Sequence, residues 1–404
     1  MADIDVYTAQ TFTGRLTRSG SKHVFTYNQG ANEALSLTMP MRIESYSYED
    51  LHPVFQMNLP EGHLRETIER YTAKQYGSDD LSMLAILGQN HIGRLGYTLS
   101  GQSMPEHSDN APDLQSLLAS DDAQLFDHLL SRFALRSAVA GVQPKVLVET
   151  IASKDAFDRI TFPSHSYIVK SWGNEFPELA CNEFICLTLC QKAGLNVAPF
   201  YISDNGRLLI TRRFDVTPEG IPLGFEDLCV LQGRTTREKY DASVESCVRT
   251  IKQFLSPELQ ARALADFFKL LLVNVLVRNG DAHLKNMGVL YDHLEGHQPG
   301  VIPAVTRSLA PVFDVVSTTP YIPNDTMALT LGGSKRWPKW KMLQKFARTQ
   351  CGLNTSEINR ILEEVELAAQ ATLPLVAELS EKHSGFREIG DQLSTLLTQK
   401  LNAV

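Results

Sequence analysis

VLVRNGDAHLKNMGVLYD, residues 275–292, leaves an apolar run at Asn279-Gly280 and then places Asp281, His283, Lys285 and Asn286 within six positions. An acid, an imidazole, an ammonium and an amide crowded at the end of a buried segment point to a shared task, because each is costly to bury alone. The preceding LQARALADFFKLLLVNVLV (259–277) has the spacing of a core helix. Its longest apolar stretch is broken by Lys269 and Asn274 and is too short to span a bilayer, so no membrane association is expected.

Outward from this stretch, composition sets bounds. A chain of 404 residues exceeds the usual reach of one hydrophobic core, which predicts two domains or one bilobal unit. With 43% hydrophobic and 21% charged residues the chain is ordinary globular material. A formal net charge of -8 argues against a protein whose main task is coating phosphate backbones. The start MADIDVYTAQ has no basic segment followed by an apolar one, so no secretion signal is read and a cytoplasmic location is expected. The six cysteines include no Cys-x-x-Cys pair, and Cys181, Cys186 and Cys190 read as small buried residues of one helix rather than metal ligands.

Residues 1 to about 100 mix alternating stretches, HVFTYNQG and EALSLTM, with one helical pattern at 59–77, and predict a small α+β unit. The Gly-, Ser-, Pro- and Asp-rich segment 101–115 is a linker candidate. Then AVAGVQPKVLVET, SYIVKSW, ELACNEFICLTLCQKAGL and LLITRRFD predict strand, strand, helix, strand, with the helix ended by Gly194. Beyond residue 225 the pattern is mostly helical. The expected fold is α+β and bilobal: an N-terminal subdomain over 1–110, a mixed lobe over 111–225 and a mainly helical lobe over 226–404.

A carboxylate five positions before an amide, on a loop leaving a buried helix, is the spacing of kinase catalytic loops. There the Asp takes the acceptor's proton and the Asn is a neutral oxygen ligand for magnesium. Loop Asx residues that merely cap turns give the same spacing. Downstream, APVFDVVSTTPY puts Asp314 after an apolar stretch, where a kinase carries its second metal-binding carboxylate; a plain turn residue is the alternative. Lys170, inside the apolar pattern of SYIVKSW, needs an anion, supplied by Glu183 or by nucleotide phosphates, unless it reaches solvent. Around Gly141, the small residues of 137–148 allow backbone amides to approach phosphate oxygens.

With these elements in order, the sequence resembles the HipA family of bacterial serine/threonine kinases, toxins of type II toxin–antitoxin modules. The likeness runs through FQMNLPEGHLRE, LAILGQNHIGRLGY, AGVQPKVLV, YIVK, NEFICLTLCQKAGLNV, RRFD, EDLCVLQG, NGDAHLKN and FDVVS. GDAHLKN is also similar to the Gly-Asp-x-His-x-x-Asn loop of phosphatidylinositol-kinase-like enzymes. The resemblance implies a protein-kinase-like fold that uses ATP and Mg2+. In it Asp281 is the catalytic base, His283 a supporting catalytic-loop residue, and Asn286 and Asp314 are the magnesium ligands. Nucleotide contacts are implied for Val139, Ala140, Gly141, Val142, Lys145, Lys170, Arg212, Phe214, Asp215 and Lys285. Family members act on protein hydroxyls, notably in aminoacyl-tRNA synthetases. They commonly pair with a small helix-turn-helix antitoxin, HipB-like, that binds operator DNA.

Two departures bear on this. The family often carries an autophosphorylated serine two positions before the Ala of Ala-Gly-x-Gln; here that position is Ala138, and the candidate Ser137 stands one residue earlier. One step along an extended segment turns a side chain to the opposite face, which points away from the usual self-inactivation. At the connector the family's Glu-Arg-Phe-Asp is replaced by Arg212-Arg213-Phe214-Asp215, leaving backbone groups to hold adenine. Two other readings compete. Gly280-Asp281-Ala282-His283 matches the opening metal motif of metallophosphatases, but the required Gly-Asn-His segment has no counterpart beyond GQNHIG at 88–93, which precedes it. A catalytically silent pseudokinase acting as antitoxin partner or corepressor would be favoured by loss of Asp281, Asn286 or Asp314, and all three are present.

Overall fold

Alternation of apolar and polar residues near the N-terminus builds an antiparallel sheet. Its strands are β1 (Ile4–Thr8), β2 (Thr11–Ser19), β3 (Lys22–Tyr27), β4 (Tyr46–Tyr48) and β5 (Leu95–Leu99), in the order β4-β3-β2-β1-β5. The computed structural model describes residues 3–61, 79–88, 91–102, 145–150, 165–171 and 176–401, with a few single positions between them. The pairs Ile4↔Leu16 and Leu16↔Phe25 run across three strands, and all three side chains are buried. Ala9 and Gln10 make the β1–β2 turn with φ of 44° and 70°, the left-handed geometry that a two-residue hairpin needs. At Gly14 a Cβ would enter the Phe25 ring and the Thr26 carbonyl oxygen, so only glycine lets that ring lie across β2.

Two short helices cover this sheet. α1 (Pro53–Gln56) brings Phe55 against Phe25 and Tyr97, with ring centroids 5.7 and 6.3 Å apart. α2 (Asp80–Leu87) is capped by Asp79, whose carboxylate accepts from Ser82 N at 3.2 Å. Most of the helical pattern at 59–77 and of the linker candidate at 101–115 lies outside the described residues.

The chain divides into two compact units, and the first is discontinuous: residues 1–170, 212–236 and 289–307. The returning segments are held by buried polar contacts. Glu226 of β10 (Gly224–Asp227) accepts from Ser36 Oγ, from Leu37 N and from the Tyr291 hydroxyl, each at 2.7 Å. Burial pushes its carboxyl above the usual range, against the pull of those donors. Arg94 pairs with Glu33 and donates to the Ala34 carbonyl at 2.7 Å, while Glu33 also accepts from Leu294 N at 2.8 Å. Tyr291, which ends β11 (Gly288–Tyr291), leaves no room for a side chain on Gly224. Asp227 caps α4 (Leu228–Leu231) through Val230 N at 2.8 Å. The first unit also holds the antiparallel hairpin of β6 (Lys145–Thr150) and β7 (His165–Ser171), in which Lys145 stands opposite Lys170.

The second unit comprises residues 171–211, 237–288 and 308–404. Its helices are α3 (Leu179–Lys192), α5 (Val244–Phe254), α6 (Pro257–Leu276), α7 (Trp340–Thr349), α8 (Thr355–Lys382) and α9 (Arg387–Leu397). A hairpin joins β8 (Phe200–Ile202) to β9 (Leu208–Arg212). The expected strand, strand, helix, strand order is thus observed, with β8 added before the last strand. Gly194, at φ 79°, ends α3 as expected. Pro257 opens α6, and α8 starts with a reciprocal cap between Asn354 and Glu357. Lys269, the charge inside the apolar run of α6, donates to Ala193 O at 2.8 Å and pairs with Glu364 of α8 at 2.7 Å. All six cysteines are free and buried, and burial pushes the Cys181 thiol up to about 12, which suits core residues. Among the described residues no helix is long and apolar enough to cross a membrane.

Candidate active site

The loop that follows α6 is shaped by a left-handed residue. Arg278, at φ 56°, turns the chain out of the helix, and its carbonyl accepts from both N and Oγ1 of Thr318, at 3.2 and 3.0 Å. The same Thr318 hydroxyl accepts from Gly280 N at 2.9 Å. Gly280 has no space for a Cβ, which would collide with the Asp325 carboxylate and the Thr326 carbonyl. The buried Asn279 donates to Asn274 Oδ1 at 2.9 Å and accepts from Asp281 N at 3.1 Å. One amide therefore fixes the backbone of Asp281 to the end of α6.

Asp281 itself is exposed, and its Oδ1 accepts from the Tyr240 hydroxyl at 2.6 Å. His283 is buried, with its ring edge-on to Tyr240 at 5.2 Å. Its backbone N donates to Asp281 O at 2.8 Å and to Asn286 Oδ1 at 2.9 Å. Residues 284–286 form a tight helical turn that swings Asn286 back toward the incoming chain. Asn286 Nδ2 then donates to Asp314 Oδ2 at 2.8 Å, joining two side chains that the sequence holds 28 positions apart. A third residue steadies this pair. Asn182, fully buried in α3, accepts from Ser317 N at 3.0 Å and donates to Ser317 O at 2.9 Å, holding the chain just past Asp314.

An amide and a carboxylate supply hard oxygen donors, and each oxygen has more than one lone pair, so a protein contact does not exhaust it. That set fits magnesium, which keeps several waters and takes its remaining ligands from phosphates. Among the described residues no group of three or more His, Cys, Asp or Glu side chains converges as a metal cage. Asp281, the acid of the competing phosphatase motif, accepts from the Tyr240 phenol.

Lys170 is buried in β7, in the first unit, and Glu183 is buried in α3, in the second. Lys285 is half-buried beside Asn286. Arg212 ends β9, and Phe214 packs edge-on against Phe225 at 5.3 Å. Asp215 is buried and already engaged: it accepts from Gly93 N at 2.6 Å and forms a two-point ion pair with Arg213, which also donates to His91 O at 3.0 Å. A ribose hydroxyl at Asp215 would have to compete with those donors. Ser137, Val139, Ala140, Gly141 and Val142 lie outside the described residues. The sequence reading missed Tyr240, Asn182, Asn279 and Thr318 as parts of the site; Asn279, next to Gly280, is the one that local context could have flagged.

Two family descriptions match, the HipA-like C-terminal domain over residues 137–373 and the HipA N-terminal domain over 4–98. The chain belongs to the HipA family. Among its relatives is a putative kinase of Sinorhizobium fredii, 27% identical over 82% of this chain and 75% of that one. The serine/threonine-protein kinase toxin HipA of Shewanella oneidensis is 27% identical over 51% of each. In the solved complex of Shewanella oneidensis HipA, HipB and operator DNA, the matching chain has TM-score 0.67 at 19% identity and covers 99% of both chains. This HipA-family chain therefore has the expected α+β kinase-like fold.

Proposed function

We propose that the chain is an ATP-dependent serine/threonine protein kinase that acts as the toxin of a HipA/HipB-like pair. The observation that carries this reading is the Asn286–Asp314 contact, five residues past an exposed carboxylate on the same loop. Asp281 takes the proton of a protein hydroxyl as that oxygen bonds to the γ-phosphorus of ATP and the bond to the β-phosphate oxygen breaks, releasing ADP. Asn286 and Asp314 would hold magnesium, which would supply charge neutralisation at the phosphates. The family resemblance assigns Lys145, Lys170, Lys285 and residues 139–142 to the nucleotide phosphates. Arg212, Phe214 and Asp215 border the nucleoside, and His283 supports the loop.

By analogy with the solved HipA–HipB–DNA complex, the partner is a helix-turn-helix antitoxin and, through it, operator DNA. The acceptor is a cytoplasmic protein, for which an aminoacyl-tRNA synthetase is the leading candidate from the family resemblance. The test is transfer from γ-labelled ATP with magnesium to proteins of a bacterial lysate, with Asp314→Asn as control. A lysate band absent in the control is expected. ATP binding with no transfer by the unaltered protein would favour a pseudokinase, or an acceptor absent from that lysate.

A further inference from the structure

The Tyr240 hydroxyl donates to Asp281 Oδ1 at 2.6 Å, the short range of a hydrogen bond to an ionised oxygen. The backbone on either side is tied down. The Lys239 carbonyl accepts from Leu284 N at 3.2 Å, and the Tyr240 carbonyl accepts from Lys335 Nζ at 3.4 Å. The ring is wedged edge-on against His283, at an interplanar angle of 72°. The hydroxyl is therefore delivered to the carboxylate by a segment fastened to the catalytic loop itself, a geometry that a mobile surface tyrosine would not have.

We infer that Tyr240 is a positioning residue for phosphoryl transfer: its hydroxyl holds the Asp281 carboxylate in one orientation and in its ionised form. This rests on the reading of Asp281 as the base. A hydrogen bond to the charged form of a carboxyl favours that form, and fixing a reacting group in place lowers the cost of reaching the transition state. Charged or titratable groups beside this contact among the described residues include Lys239, with Nζ 5.4 Å from the Tyr240 ring centroid, Lys335, His283 and, across Gly280, Asp325. Tyr240→Phe leaves every one of them in place and keeps the ring against His283.

The test follows the aspartate carboxyls of the full-length protein by carbon-13 NMR without nucleotide or metal, the Asp281 signal being assigned by its loss in Asp281→Asn. In Tyr240→Phe its titration is expected to move upward by about one pH unit. The acid limb of label transfer from γ-labelled ATP should move with it, at unchanged KM for ATP. An unmoved carboxyl titration overturns the inference whatever transfer does. A moved titration together with full transfer by Asp281→Asn refutes the reading of Asp281 as base, and the positioning role falls with it.

Discussion

Asn182 meets the backbone of Ser317 with both ends of its amide, one accepting and one donating. Aspartate lacks the donor and leucine lacks both. Asn182→Ala would strand the N–H and C=O of Ser317 in a buried place, at a cost of about 1–3 kcal/mol. The expected outcome is a lower melting temperature, and a weaker magnesium dependence of ATP binding by isothermal titration, because Asp314 sits three residues before Ser317. An unchanged magnesium dependence would separate Asn182 from the proposed role of Asn286 and Asp314. Asp281 and Asn286 could be singled out in the sequence because they stand five positions apart on one loop, and Asp314 because it follows an apolar stretch; the structure brings Asn286 and Asp314 into contact. Asn182 could not be singled out. Any helix carries such an amide, and its partner lies 135 positions away. Tyr240 was hidden for the same reason, 41 positions from the carboxylate it meets.

At the scale of elements, periodicity exposed α3, α6 and the strands β6, β7 and β9, since burial on one or all faces imprints directly on residue type. Register and bulges left no such imprint. The register shift between Val6 and Tyr7 in the β1–β2 pair and the seating of the Phe25 ring over Gly14 are facts of three dimensions. Lys269 makes the point for helices: in the sequence it only interrupts an apolar run, yet in the fold it links α6 to the end of α3 and to α8. Burial pushes the Glu364 carboxyl up, but Lys269 and Arg360 outweigh it and hold the carboxyl below the usual range. A depressed carboxyl stabilises the fold above its unfolded value, and that contribution disappears as pH falls through the folded one. Lys269→Met is therefore expected to cost about 2 kcal/mol near neutral pH, less than a fully buried pair because Glu364 keeps contact with water. The gap to the unaltered protein should narrow in acid, below the ordinary carboxylate range. Urea unfolding followed across that range checks the direction, and a gap that widens in acid would contradict it.

Across the whole molecule, a chain of this length predicted more than one core, and the chain forms two compact units. What composition could not convey is that 212–236 and 289–307 return to the first unit. That return depends on single buried contacts such as Glu226 with Ser36 and Leu294 with Glu33, which leave no periodic trace. Residues 1–98, although they span the match to the HipA N-terminal domain, are thus expected to lack a cooperative melting transition when produced alone. Calorimetry decides, and a sharp transition near that of the full chain would show the sheet to be self-sufficient.

The same discontinuity orders events on the ribosome. The first sheet is synthesised well before Glu226, Tyr291 and Leu294 exist to meet Ser36, Leu37 and Glu33. Domains generally form as they emerge, but this one lacks its returning segments until residues 289–307 have been translated. A message cut short anywhere before residue 289 therefore yields an N-terminal unit that never closes, and quality control meets it as an unfinished fold.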